Sequence, residues 1–146
     1  MQLLLIAKDR PIERSDTLEE IPADSFVWID ASRGEPAESW RDLAEDLTGV
    51  RIFDAHMTDA ANESHPSFFD NTSDYEVIIF RGLSASPESL NDDKSVRLGA
   101  DSQYDYGPIN TRPFRIKTAP VLFFLLPRMV ISVRPDDAPS IGQVRT

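Results

Sequence analysis

The sequence predicts an α+β domain, a central mixed β-sheet with helices covering it. Three observations predict this class. Six short segments rich in apolar, β-branched or aromatic residues have the length of strands. One stretch near position 40 repeats its apolar residues with a helical period. The helical patterns fall together between the second and third strands instead of alternating with every strand, which separates an α+β domain from a doubly wound one.

Gln2–Ala7 is a compact apolar run stopped by Lys8-Asp9-Arg10-Pro11, so it reads as a buried strand. Residues 16–24 are polar and hold Pro22, and they read as a connector. Ser25–Asp30 (Ser-Phe-Val-Trp-Ile-Asp) is the second strand. Gly34-Glu35-Pro36 opens a helix over Pro36–Thr48, because proline in the first turn gives up an N–H that has no helical partner. Trp40, Leu43, Ala44 and Leu47 mark its buried face, Glu38, Asp42 and Glu45 the other, and Gly49 its stop. A second helix is expected over Phe53–Ala61, with Phe53, Met57 and Ala60 on one face.

Tyr75–Phe80 is apolar on both faces and is expected near the middle of the sheet. Residues 84–111 are rich in Ser, Asp, Asn, Gly and Pro and read as a long polar loop or frayed hairpin. Phe114–Thr118, Val121–Leu126 and Met129–Val133 are three further strands, the last two joined tightly through Pro127-Arg128. Asp136-Asp137 lies between prolines, placed to cap a helix that begins at Ser140. The 146 residues suit a single domain.

Composition narrows the function. The formal charge of -10 repels phosphate backbones and anionic lipid, which argues against nucleic-acid binding. The chain has no cysteine, so disulfides, thiolate zinc sites and cysteine nucleophiles are excluded. The longest apolar run, Val121–Leu126, is far short of the ~20 residues that cross a bilayer. No phosphate-binding glycine loop, His-Glu-x-x-His or Gly-x-Ser-x-Gly pattern occurs, and the chain is read as no enzyme. Asp54 and His56 diverge at their i, i+2 spacing on a helix and do not make a metal pair, with His65 nearby in sequence. Asp92, Asp93, Asp101 and Asp105 lack the glycine and closing glutamate of a calcium loop and read as solvated charge. Trp28 and Trp40 read as packing residues.

Several segments together resemble the amino-terminal cytoplasmic domain of the CorA family of divalent-cation transporters. Phe26-Val27-Trp28-Ile29-Asp30 is similar to the family's strand ending in Trp-Ile-Asp or Trp-Ile-Asn. Leu47-Thr48-Gly49-Val50 resembles the segment that ends the following helix. Thr58-Asp59-Ala60, then Pro66, Phe68-Phe69 and the strand from Tyr75, resemble its Glu-Asp, Pro-Lys, Tyr succession, and Met129–Arg134 resembles a later strand. Thr58 stands where the family has Glu, Ser67 stands for the basic residue after the proline, and the Gly-Met-Asn pore signature is absent.

The resemblance implies an α/β/α layered fold that stops short of a stalk helix and a membrane domain. It implies a regulatory domain on the cytoplasmic face of the cell membrane, gating a homopentameric pore for Mg²⁺ or for Co²⁺ or Zn²⁺. The implied partners are its own stalk and membrane region and four further copies of the chain. Asp59 is the one residue whose position matches a regulatory Mg²⁺ ligand, against the simpler reading of a helix-surface carboxylate. A single carboxylate implies weak Mg²⁺ binding by this chain alone, on the order of millimolar. The alternative function is a stand-alone acidic binding module.

Overall fold

The computed structural model describes residues 1–83 and 118–136. They form β1 (Gln2–Ala7), β2 (Glu13–Ser15), β3 (Ser25–Ser32), α1 (Ala37–Thr48), α2 (Asp54–Ala61), β4 (Phe68–Asn71), β5 (Glu76–Leu83), β6 (Thr118–Leu126) and β7 (Met129–Arg134). The seven strands make one sheet in the order β2-β1-β3-β7-β6-β5-β4. Among these pairs only β3 and β7 run parallel, so the sheet is mixed, as the sequence predicts.

Strand alternation sorts the side chains. Val27, Ile29 and Ala31 of β3 stand opposite Met129, Ile131 and Val133 of β7, and all six are buried. Leu122, Phe124 and Leu126 of β6 and Val77 and Ile79 of β5 continue that face. The helices lie on it: Trp40 of α1 is 1% exposed and meets Phe124 with ring centroids 5.5 Å apart, and Ala44 and Ala60 are buried beside it. Each large side chain so buried contributes about 1.5–3 kcal/mol. The opposite face carries Phe26, Phe69 and Phe80, all exposed, with Phe80 stacked on Phe123. Its centre is polar: Asp30 accepts hydrogen bonds from Ser132 Oγ and from two nitrogens of Arg134, and Ser132 accepts one from the Trp28 indole.

Several elements differ from expectation for identifiable reasons. Pro36 and Phe53 are the residues flanking α1 and α2 and lie outside them. Pro36 still organises the helix start, because its carbonyl accepts both the N–H and the hydroxyl of Ser39. Phe53 is half exposed, and His56, not Phe53, takes the buried place on α2 beside Ala60. The strand from Tyr75 is one place in from the sheet edge; β7 is the middle strand. β6 runs through Pro120 to Thr118 because the β7 ladder begins only at Leu122, leaving one flank open at the proline. β2 and β4 are short edge strands that the sequence does not announce. The predicted strand over Phe114–Thr118 lies, except for Thr118, outside the described residues, as do the 84–111 loop and the helix from Ser140.

Two turns are bound from the side. The β6–β7 connection puts Arg128 at φ 60, a costly region for a residue with a Cβ. Its guanidinium compensates by donating to the carbonyls of Ile21, Pro22 and Ser25, so it ties the hairpin to the start of β3. After α1, Gly49 at φ 72 donates its N–H to the Glu45 carbonyl at 2.8 Å. The Glu45 carboxylate then accepts the Ile52 N–H at 2.9 Å and Arg41 Nε at 3.0 Å, which aims the chain into α2.

Candidate functional site

Both histidines pair with aspartates around α2 and the segment that follows it. The helix is seated by a relay of three side chains. The Phe53 N–H donates to the Tyr75 hydroxyl at 2.9 Å, and that hydroxyl lies 2.7 Å from His56 Nδ1. His56 Nε2 lies 3.1 Å from Asp70 Oδ2. A carboxylate only accepts, so Nε2 carries a hydrogen; the hydroxyl, already accepting from Phe53, donates to Nδ1. Each polar group of the relay then has a partner. Tyr75 has its pKa raised, chiefly by burial. The relay joins α2 to β4 and β5 and uses up both nitrogens of His56, which is 6% exposed.

Asp59 lies one turn further along. Its Oδ1 is 3.3 Å from His65 Nε2, with the two side chains 27% and 15% exposed. His65 Nδ1 is 2.8 Å from the Pro66 carbonyl, which fixes the ring. The loop between them is held at several points. The Asn62 N–H donates to the Asp59 carbonyl and the His65 N–H to the Asn62 carbonyl. Arg81 of β5 donates to the His65 carbonyl at 2.8 Å while its other nitrogens bind the hydroxyl and carbonyl of Thr118. The His65 ring also meets Phe68 edge-on at 5.7 Å between centroids.

The other residues considered from sequence do not join this pair. Thr58, which stands where a second carboxylate was sought, turns its hydroxyl back to the Asp54 carbonyl at 3.1 Å. Asp54 points to solvent and pairs with Arg41 at 2.7 Å, away from His56, as their spacing requires. Among the described residues no three of His, Asp and Glu converge as a metal-binding group. One carboxylate beside an imidazole is a poor fit to Mg²⁺, a hard ion that asks for octahedral oxygen. The sequence sets His65 near Asp54 and His56 without a metal role; its contact with Asp59 is not legible there, because it depends on the loop folding back under Arg81.

A cleft of about 330 Å³ opens where the parallel strands β3 and β7 end, lined by Arg33, Gly34, Glu63, Pro135 and Asp136. Arg33 is committed within it, donating to the carbonyls of Ala60 at 3.1 Å and Pro120 at 2.7 Å. Burial lowers its pKa.

No protein-family model matches the chain. No curated protein matches it either. Solved structures do. The soluble domain of CorA from Methanocaldococcus jannaschii superposes with a TM-score of 0.59 at 13% identity, over 98% of this chain and 44% of that one. The chain has the fold of the CorA soluble domain. The complete CorA magnesium transporter of the same organism gives 0.58 at 10% identity, over 99% of this chain and 36% of that one. The full-length CmaX protein gives 0.58 at 14% identity, over 99% and 37%. The CorA-like chain thus spans less than half the length of each of these proteins. Among its described residues no helix is long and apolar enough to cross a membrane.

Proposed function

We propose that this chain is the regulatory cytoplasmic domain of a CorA-like divalent-cation transporter and is not an enzyme. The observation that carries the reading is the superposition of 98–99% of the chain on CorA structures. In this reading the domain continues into a stalk and membrane helices at the cytoplasmic face of the cell membrane, and five copies surround one pore. A divalent cation, Mg²⁺ or Co²⁺ or Zn²⁺, bridges neighbouring domains and holds the pore closed. A ligand that binds only where two domains meet stabilises only the state that brings them together. The formal charge of -10 supports the same reading, since neighbouring domains repel until cations offset that charge. Asp59, partly exposed at the end of α2, is the proposed regulatory ligand on this chain.

The test is the product of the complete reading frame that holds this chain. Purified in detergent it should run as a pentamer and, in vesicles, pass a divalent cation. A frame without membrane spans, or a product that carries no divalent cation, refutes the reading and leaves a stand-alone acidic binding module.

A further inference from the structure

We propose that Arg33 is a positioning residue for Asp59: it pins the end of α2, and Asp59 with it, to the start of β6 and the end of β7. The placement rests on geometry; its regulatory meaning rests on the reading above, which gives Asp59 a part in closing. A helix leaves its last carbonyls without partners in the helix. The usual remedies are a left-handed glycine just after it or a basic residue in its last turn. α2 has neither: Asn62 follows in extended backbone at φ -86, and the last turn holds no basic residue. The Asn62 N–H serves the Asp59 carbonyl at 3.1 Å. The next carbonyl, that of Ala60, accepts from Arg33 Nε at 3.1 Å. Arg33 thus supplies, from the turn after β3, the capping bond that the helix does not supply itself.

The same residue reaches further. Its Nη2 donates to the Pro120 carbonyl near the start of β6 at 2.7 Å. Its backbone N–H donates to the Arg134 carbonyl at the end of β7 at 2.8 Å. One residue therefore joins two strands of the sheet to the helix end. Both acceptors of the side chain are backbone carbonyls, so what the guanidinium fixes is the path of the main chain. Nε and Nη2 diverge from one rigid plane, which lets a single side chain serve two carbonyls. A lysine ammonium on its flexible stem has no such fork. The cleft of about 330 Å³ opens beside the guanidinium, between Glu63 of the following loop and Pro135-Asp136. That space lets the helix end swing once the two bonds are lost. In the transporter reading β7 leads on toward the pore, so Arg33 ties the helix end that bears Asp59 to the strand that leads there.

The two histidines make the test specific, because each reports on one part of α2. The His65 ring meets Asp59 near the end of the helix, and His56 is held near its start by Tyr75 and Asp70. ¹⁵N-labelled protein is compared with Arg33→Met and Arg33→Lys by amide exchange and by ring ¹H–¹⁵N spectra at one pH. Arg33→Lys keeps the charge and the stem and serves if Arg33→Met does not fold. In both variants the amides of Ala60, Ala61 and Asn62 should exchange about tenfold or more faster, the effect of losing a bond to a charged donor. The His65 ring signals should shift. The His56 ring signals and the exchange of the Met57 amide, bonded to the Phe53 carbonyl in the first turn, should stay as they are. Unchanged exchange at the helix end overturns the proposal. Equal acceleration along the whole of α2 with displaced His56 signals also overturns it, since Arg33 would then be a general stabiliser. Arg33→Lys that behaves as the wild type overturns the argument from the fork. In the product of the complete reading frame, Arg33→Lys should raise the cytoplasmic cation concentration needed to stop flux. A loosened helix end with unchanged closing refutes the regulatory reading of Asp59 and leaves its placement by Arg33 standing. Altered closing with an undisturbed helix end does the reverse.

Discussion

Replacing Arg134 by methionine tests whether the seam between the parallel strands β3 and β7 depends on its buried charge pair. The Asp30 side chain is 0% exposed and that of Arg134 12%. Arg134 reaches Asp30 through two bonds, Nε to Oδ1 at 3.0 Å and a terminal nitrogen to Oδ2 at 3.2 Å. Ser132 adds a third at 2.9 Å, and the Trp28 indole N–H closes the chain on Ser132 at 2.9 Å. Methionine fills much of the volume but removes both charge-assisted bonds that Arg134 donates to the buried carboxylate. Breaking such a pair from one side costs about 3–5 kcal/mol. The Ser132 bond survives, which places the cost at the lower end, about 3 kcal/mol, a large part of the ~5–15 kcal/mol that holds a domain folded. Urea unfolding followed by the fluorescence of Trp28 and Trp40 reads it directly. With a slope of about 1–3 kcal/mol per molar, the midpoint should fall by about 1–3 M at an unchanged slope. Adding Asp30→Asn should cost less than the sum of the two single changes, since both partners of the pair are then gone. A shift below about 0.3 M for Arg134→Met would refute the argument that the pair carries this seam.

Three further outcomes follow from the geometry. Tyr75→Phe removes the hydroxyl shared by the Phe53 N–H and His56 Nδ1 and should cost about 1–3 kcal/mol in urea unfolding, the cost of unsatisfied buried polar groups; a neutral result would show that the relay does not seat α2. Gly49→Ala meets nothing within 4 Å of the new Cβ but keeps φ at 72, so it should cost only the backbone term, about 1–2 kcal/mol, and a larger loss would reveal an unrecognised clash. Glu45 has its pKa held below 4.5, first by the Ile52 N–H and then by Arg41. A lowered folded-state value stabilises the protein above the unfolded value and is lost as pH falls through the folded one. Stability should therefore drop below about pH 4.5, with a shallower drop in Glu45→Gln; an acid limb unchanged by that substitution would contradict the assignment.

What the sequence made legible was local. Gln2–Ala7 has the bounds read from it because the apolar run and its charged stop are contiguous. The Trp40, Ala44 repeat and the Gly49 stop place α1 for the same reason. Edge strands β2 and β4 were not legible, since Glu13-Arg14-Ser15 has no alternating pattern and exists through pairing with Leu3–Leu5. Asp59 was legible only through resemblance. Its contact with His65 was not, because a loop, an arginine on β5 and the Pro66 carbonyl act together to place that ring. Its one sequence trace is a histidine six residues after the aspartate and directly before proline, a spacing common enough to carry little weight.

The transporter reading stands or falls most directly on cation-dependent closing. The product of the complete reading frame, reconstituted in vesicles, is assayed for divalent-cation flux as the cation on the cytoplasmic side is raised, with Asp59→Ala in parallel. Flux should fall as the cation rises in the wild type, and Asp59→Ala should need a higher concentration to close. Flux that ignores the cytoplasmic cation, or closes identically in Asp59→Ala, would contradict the regulatory role assigned to this domain and this residue.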